Sequence, residues 1–246
     1  RRKNDARSCQ QGGDSFCRIY QHPTIVNVVG IGPEEHLAEH GIRVIQNLRV
    51  GHNLQDHVVS GGLTFLVNEE VSLVESRLYD IRYVLHYAIF GTDSFTAFGD
   101  VEGVGFINTK YANICDDFPD IQLYFVPIGT NTNGGSIFRK VHDLTSEFYD
   151  AVFEEFLYKD AWTAFPILLR PKSNGVIKLR SNNPFDHPLI YPNYFEKPED
   201  MATLVEGIKF IIEMNKTAPF GVYYLQFLCF EFTELPDLPR NSTGRR

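Results

Sequence analysis

The chain has 246 residues, of which 43% are hydrophobic and 22% charged, a composition typical of a globular protein rather than a disordered one. Its formal net charge of -8 and its pI near 5.5 argue against nucleic acid as a partner, because surfaces that bind a phosphate backbone are rich in Lys and Arg. The longest apolar run is shorter than the roughly 18 residues that a membrane span requires, so the sequence predicts no membrane span.

The N-terminal part of the chain contains one clear helix signal. Residues 1–24 are polar, rich in Cys, Gln and Gly, and without hydrophobic period, so we expect them to be irregular. A short helix is predicted to begin at Pro33, because two glutamates follow at its positive end, and to stop at Gly41. A short strand then leads into the loop "VGHNLQDH" at 50–57.

Beyond residue 60 the pattern is a mixture of alternating strands and amphipathic helices. Apolar residues at 4-3-4-3 spacing predict a helix over 71–90, with Val74, Leu78, Ile81, Leu85 and Ala88 inward. Strands are predicted at 62–68, 103–108, 121–127, 161–169 and 175–181, and further helices at 146–158 and 199–214, the last with Met201, Val205, Ile208 and Ile212 inward. Because the elements do not alternate strictly, the fold class is α+β, with a mostly antiparallel sheet backed by helices.

The segment "HLAEH" at 36–40 matches the H-x-x-E-H pattern of some zinc hydrolases. His36 and His40 would share the ion and Glu39 would act as the base. However, Gly41 ends the helix at once and no later helix offers an obvious third ligand. The zinc hydrolase is therefore the remotest of the alternatives, and we expect no metal.

The cysteines and the glycosylation signals bear on the cellular compartment. The four cysteines have no C-x-x-C spacing, so the sequence leaves open whether they pair. Two stretches, Asn215–Lys216–Thr217 and Asn241–Ser242–Thr243, match the N-glycosylation pattern. These signals favour an extracellular, secreted protein.

Two long stretches resemble the glucose–methanol–choline (GMC) family of FAD-dependent oxidoreductases, particularly its insect glucose dehydrogenases. The first is "GIGPEEHLAEHGIRVIQNLRVGHNLQDH" at 30–57, and the second is "RPKSNGVIKLRSNNPFDHPLIYPNYF" at 170–195. They occur in the family's order and separation. The resemblance implies a substrate-binding domain with an antiparallel sheet, together with fragments of the edge of a flavin domain.

The resemblance also implies a division of the chain and a cofactor-facing loop. Residues 25–60 would form the flavin-domain edge and linker, 61–190 the substrate-binding domain, and 191–246 a return segment toward the flavin domain. Asn53, Asp56 and His57 would lie at the junction and contact FAD or support the loop that does. The family's catalytic histidine lies in a segment that this chain does not contain, so we expect no catalytic residue here.

By this resemblance the full-length protein would oxidise an alcohol or sugar at its CH–OH group, pass hydride to flavin, and use a quinone or oxygen as electron acceptor. This chain alone would bind FAD poorly and be inactive. A non-catalytic binding or interaction module of the same fold is the alternative. Val29, Asn174 and Asn183 depart from the family pattern, as do residues before 24 and after 219, and we hypothesise that both ends are mis-joined sequence.

Overall fold

The structure is a computed structural model of the chain. It describes residues 15–70, 72–74, 77, 79–92, 94–96, 101–113, 115–135, 138–141, 144–217 and 226–227. The α-helices are α1 Ser15–Val28, α2 Glu34–Glu39, α3 Ile81–Phe90, α4 Phe138–Val141, α5 Ser146–Phe153 and α6 Pro198–Asn215, with 3₁₀ turns at Ser94–Thr96, Thr132–Gly135 and Glu154–Phe156.

Within the described residues, the strands form one large and two small sheets. In chain order they are β1 Ile31–Gly32, β2 Gln46–Asn47, β3 His52–Leu54, β4 Val58–Val59, β5 Leu63–Leu66, β6 Gly103–Ile107, β7 Ile121–Val126, β8 Ala161–Leu168, β9 Gly175–Lys178, β10 Leu189–Tyr191 and β11 Gln226–Phe227. The large sheet has the order β11-β5-β8-β7-β6 with β4 also beside β8, and all its pairs are antiparallel. The predicted α+β class with a mostly antiparallel sheet is confirmed.

Contacts divide the chain into two compact units. Unit 1 holds the described residues up to His57 together with Pro171–Met201, and unit 2 holds Val58–Arg170 together with the described residues from Ala202 onward. The strands β9 and β10 therefore cluster with the N-terminal segment, whereas the sequence placed residues up to 190 with the substrate-binding domain.

In unit 2 the large sheet is covered on one face by α6. Ile121, Leu123 and Pro166 on that face are almost fully buried. Gly207 of α6 lies against them so closely that an added Cβ would be 3.2 Å from both Ile121 and Pro166. At the other end of the sheet, α5 packs its Val152 and other apolar residues against β5 and β8. Because Gly207 has no side chain, α6 can lie close to the large sheet.

A half-buried ion pair fixes the segment that follows β5. Arg77 donates two hydrogen bonds to Asp160, at 2.7 and 2.8 Å, and the backbone N–H of Ser72 donates to the same carboxylate at 2.9 Å. Although burial alone raises a carboxyl pKa, the hydrogen bonds from Arg77 and Ser72 outweigh it and lower the pKa of Asp160. The bidentate geometry makes this pair a specific tie between the segment and the start of β8.

The helix predicted over 71–90 is not continuous, because residues 72–74 and 79–80 are not helical, and its predicted inward face is wrong. Asp80 caps the helix by accepting from the backbone N–H of Arg82, so α3 begins only at Ile81, and it ends at Gly91 in the left-handed conformation. None of its residues is buried, and Leu85 is 53% exposed. Val74 is buried, but ahead of the helix, and Leu78 lies outside the described residues.

Two further expectations need correction. Residues 15–24, expected to be irregular, belong to α1; its buried positions include the polar Thr24 and Asn27, so no apolar period marked the helix. In α6 the buried face carries Asp200, Thr203, Leu204, Gly207 and Ile211, one position away from the predicted stripe, and Met201 is exposed. Residues 1–14, also expected to be irregular, lie outside the described part.

Two further findings concern a cysteine and the membrane. Cys115 is exposed and carries a free thiol. Among the described residues, no helix combines the length and the apolar character needed to span a bilayer.

Candidate functional site

The loop at 50–57 is built onto strand β9 in unit 1. β3 pairs antiparallel with β9, placing His52 opposite Val176, and the N–H of Ile177 donates to the carbonyl of Gly51 at 2.8 Å. Gly51 has a φ of 85°, and a Cβ there would lie 2.1 Å from the Ile177 carbonyl oxygen. Only glycine fits this position, because it combines a left-handed backbone with close strand contact.

The structure places Asp56 and His57, two of the three predicted junction residues, beside Tyr194, which the sequence did not indicate as a site residue. Asp56 accepts from the backbone N–H of His57 at 2.9 Å and from the hydroxyl of Tyr194 at 3.2 Å. Burial raises the pKa of Tyr194, and the neighbouring Asp56 carboxylate raises it further. Asn53 lies apart from this group, exposed on β3 with a φ of 69°.

Tyr194 is held by an unusual backbone. Asn193 and Phe195, on either side of it, have φ values of 53° and 60°, and the Asn193 side chain donates to the carbonyl of Asn174 at 3.2 Å. A left-handed conformation is costly for a residue as bulky as Phe, and such strain concentrates at functional sites. In the sequence, Pro184, Pro188 and Pro192 predict a constrained segment just before Tyr194, but they do not indicate the partner of Tyr194.

A cavity of about 240 Å³ lies beside the loop. It is lined by Pro23, Gly51, His52, Asn53, Leu54, Gln55 and Ile177. Burial lowers the pKa of His52, and the positive charges of Arg49 and Lys178 lower it further, so the imidazole presented here is neutral at pH 7. Ligand sites for drug-sized molecules span about 300–1,000 Å³, so this cavity is smaller than such a site.

The His36, Glu39 and His40 group is a compact cluster, with ligand atoms within 4.8 Å of one another. Yet Nε2 of His36 accepts from the backbone N–H of Leu179 at 2.9 Å, so the ring proton is on Nδ1, which faces Glu39 at 3.4 Å. Both nitrogens of His36 are thus engaged, and neither offers the lone pair that zinc requires. The geometry supports a structural role for His36, joining α2 to the end of β9.

Unit 2 contributes a second feature, which we call the open face of the large sheet: Val104, Phe106, Gln122, Tyr124 and Phe165. Register places Val104 opposite Tyr124 and Tyr124 opposite Phe165, with Phe106 opposite Gln122 in the next row. These side chains therefore project from the same side of the sheet. Val104 and Phe106 are 51% and 56% exposed, and the other three are half-buried.

Comparison with known proteins assigns this architecture to a family. Residues 171–244 match the C-terminal model of the family described as GMC oxidoreductase. Over 204 residues, 82% of this chain, the sequence is 32% identical to a Drosophila melanogaster glucose dehydrogenase [FAD, quinone]. The chain belongs to the GMC oxidoreductase family. A Pseudomonas putida alcohol dehydrogenase [acceptor] is 31% identical over 76% of the chain.

GMC oxidoreductase structures share the fold. A formate oxidase from Aspergillus oryzae superposes with a TM-score of 0.61 at 24% identity, covering 85% of this chain and 37% of its own. The chain spans 29% of the fly glucose dehydrogenase and 30% of the bacterial alcohol dehydrogenase. The family match extends to residue 244, so the stretch after 219, which the sequence placed outside the family pattern, falls within it.

Proposed function

We propose that this chain forms the substrate side of an FAD-dependent oxidoreductase that acts on the CH–OH group of an alcohol or sugar. One observation carries the proposal: the segments 30–57 and 171–195, far apart in sequence, fold together in unit 1 through β3 and β9 and through Asp56 and Tyr194. When bound, the flavin of a GMC oxidoreductase supplies the acceptor for the substrate's hydride.

The chain's own residues have two roles in this proposal. Asn53 lines the cavity and faces an edge of the cofactor, whereas Asp56 and His57 hold the junction loop in place through the Tyr194 hydroxyl and the backbone. The open face of the large sheet forms a wall of the substrate chamber and excludes water from it. We assign no catalytic residue to this chain.

The size of the cavity supports a further part of the proposal. Because about 240 Å³ holds only an edge of FAD, the chain alone binds the cofactor weakly and turns over no substrate. The electron acceptor of the whole protein is a quinone or oxygen; the fly relative is named for a quinone. The glycosylation patterns, with Asn215 at the end of α6, support an extracellular location.

The test is a titration of the 246-residue chain with FAD, followed by the visible flavin difference spectrum. We expect saturable binding with a Kd of about 0.1 mM or weaker, since few contacts contribute. Asp56→Asn keeps the shape of the side chain but weakens the bond to Tyr194, and Asn53→Ala removes the amide at the cavity. Both variants should bind more weakly. His187→Gln, an exposed change in the same unit, is the matched control.

Three outcomes would contradict the proposal in different ways. If FAD produces no saturable spectral change, the junction loop is not part of the cofactor site. An equal loss of binding in His187→Gln would show that the effect is not specific to the loop. Turnover of any alcohol by the chain and FAD, measured with an artificial dye as acceptor, would show that the predicted inactivity is wrong.

A further inference from the structure

Three basic residues of unit 1 lie together beside the cavity. His52, which lines the cavity, is paired with Val176 in the register of β3 and β9. Lys178 follows two residues later on β9, so its side chain projects from the same face of the strand as that of Val176. Arg49 is joined to His52 by a turn, in which the Arg49 carbonyl accepts from the His52 N–H at 3.3 Å. We call Arg49, His52 and Lys178 the basic corner.

The positive charge of the basic corner is not neutralised within the described part of the chain. There, neither Arg49 nor Lys178 forms an ion pair or a side-chain hydrogen bond, and both are exposed. Burial lowers the pKa of His52 and the two cations lower it further, so the three groups are close enough to interact. Asp56, the nearest acidic residue along the chain from His52, accepts from the Tyr194 hydroxyl. A positive field beside a recess attracts an anion.

The cavity itself presents hydrogen-bond donors and no acid. None of the seven residues that line it is acidic. The side chain of Asn53, which also lines it, makes no hydrogen bond to the described residues, so its amide is available to donate. The neutral His52 ring keeps one N–H donor. A carboxylate or a phosphate matches this set, because its oxygens accept from guanidinium, ammonium and amide N–H groups.

The phosphates of a dinucleotide cofactor match the basic corner less well than a single acidic group does. Pyrophosphate groups are characteristically held by backbone N–H groups at a Gly-rich turn and a helix N-terminus. The basic corner instead offers side-chain donors, placed at β3 and on β9. The cavity of about 240 Å³ suits a small molecule or one end of it.

We infer that the basic corner binds the acidic group of an anionic alcohol, either a hydroxy acid or an alcohol that carries a phosphate. The inference rests on the proposed function, in which Asn53 of the same cavity faces the cofactor. It narrows the substrate class from alcohols and sugars in general to alcohols with a negatively charged group. Arg49 and Lys178 are the specificity-determining residues.

The experiment titrates the 246-residue chain without cofactor, near neutral pH, with two matched probes followed by ligand-observed NMR. 4-(Hydroxymethyl)benzoate carries a carboxylate, and benzyl alcohol lacks it. The benzoate should bind about tenfold more tightly at low ionic strength, and high salt should reduce the difference because it screens exposed charges. Arg49→Gln and Lys178→Gln should each lower the affinity for the benzoate about threefold or more and leave that for benzyl alcohol unchanged.

Arg43→Gln is the matched control, because it also removes one guanidinium from an exposed residue of unit 1. Equal binding of the two probes would overturn the inference, and so would an equal loss of benzoate affinity in Arg43→Gln and Arg49→Gln. Weaker FAD binding in Arg49→Gln and Lys178→Gln with unchanged benzoate affinity would also overturn it, because the basic corner would then hold the cofactor's phosphates.

The outcome is separate from that of the FAD titration. A preference for the benzoate without any response to FAD would contradict the proposed cofactor site, while the anion site would stand. A normal response to FAD with equal binding of the two probes would overturn the inference alone.

Discussion

His36 joins two segments of unit 1 that are far apart in sequence. Its Nε2 accepts from the N–H of Leu179, which is 1% exposed, and the His40 ring lies edge-on at 4.8 Å between centroids. Burial lowers the pKa of His36, the Glu39 carboxylate opposes this, and the positive charge of Lys178 adds to it. The neutral ring is therefore the form that the fold requires.

This arrangement predicts a stability that falls with acid. Since the folded pKa of His36 lies below the ordinary value of 6.5, the unfolded chain takes up the proton first as pH drops, and stability is lost from 6.5 down to the folded pKa. His36→Gln should flatten this part of the profile. Urea unfolding above and below pH 6.5 measures it, with the exposed His187→Gln as control. An unchanged slope in His36→Gln would contradict the role.

At the scale of elements, α3 shows that the helical spacing of apolar residues can be real although the face that they form is not buried. Its sequence is so apolar that the 4-3-4-3 spacing suggested a core stripe, yet Ile81, Leu85 and Ala88 are all exposed. The cap at Asp80 and the turn at Gly91 define the helix locally. Whether a helix packs against a core is decided by its neighbours in space, and periodicity carries no information about them.

We expect Leu85→Gln to change the free energy of unfolding by no more than about 0.5 kcal/mol, as for an ordinary surface substitution. Leu123→Ala, at a site that is 2% exposed, should cost about 2–5 kcal/mol, because it leaves a cavity in the core. Urea denaturation of both variants makes the comparison. A loss of several kcal/mol in Leu85→Gln would contradict the exposed position of Leu85 and would indicate that the predicted stripe is buried.

At the scale of the molecule, unit 1 depends on hydrogen bonds that close the loop between residues 172 and 200. Asp200, only 2% exposed, accepts from the backbone N–H groups of Lys172 and Ser173 at 2.7 and 2.9 Å. Ser173 in turn accepts from the N–H of Lys197 at 2.9 Å through its hydroxyl oxygen. These bonds tie the second stretch to the start of α6 and thereby complete the unit.

Hydrogen exchange should show that unit 1 opens separately from unit 2. Asp200→Asn should speed exchange of the Ser173 and Leu179 amides about tenfold to hundredfold, because a buried donor that loses its partner costs about 1–3 kcal/mol. The Leu73 amide, bonded to the Pro127 carbonyl in unit 2, should change little. Glu199→Gln, exposed on the same helix turn, is the control. Equal acceleration in both units would contradict the division.

The sequence by itself determined the elements whose signals are local. Pro33 and Gly41 bound α2 because capping acts within a few residues, and alternation located β7 and β8 because a half-covered sheet imposes a period of two. The two long stretches also identified the family, since a long ordered match is more specific than any short motif. The fold class followed from these signals.

Only the tertiary structure decided the contacts across distance. The bond between Asp56 and Tyr194, the bond of Leu179 to His36, and the inward turn of the polar Asn27 follow from strand register and packing. A shift of one residue in register would place a different set of side chains at the junction. Such pairings depend on the whole chain at once, so no local window of sequence contains them.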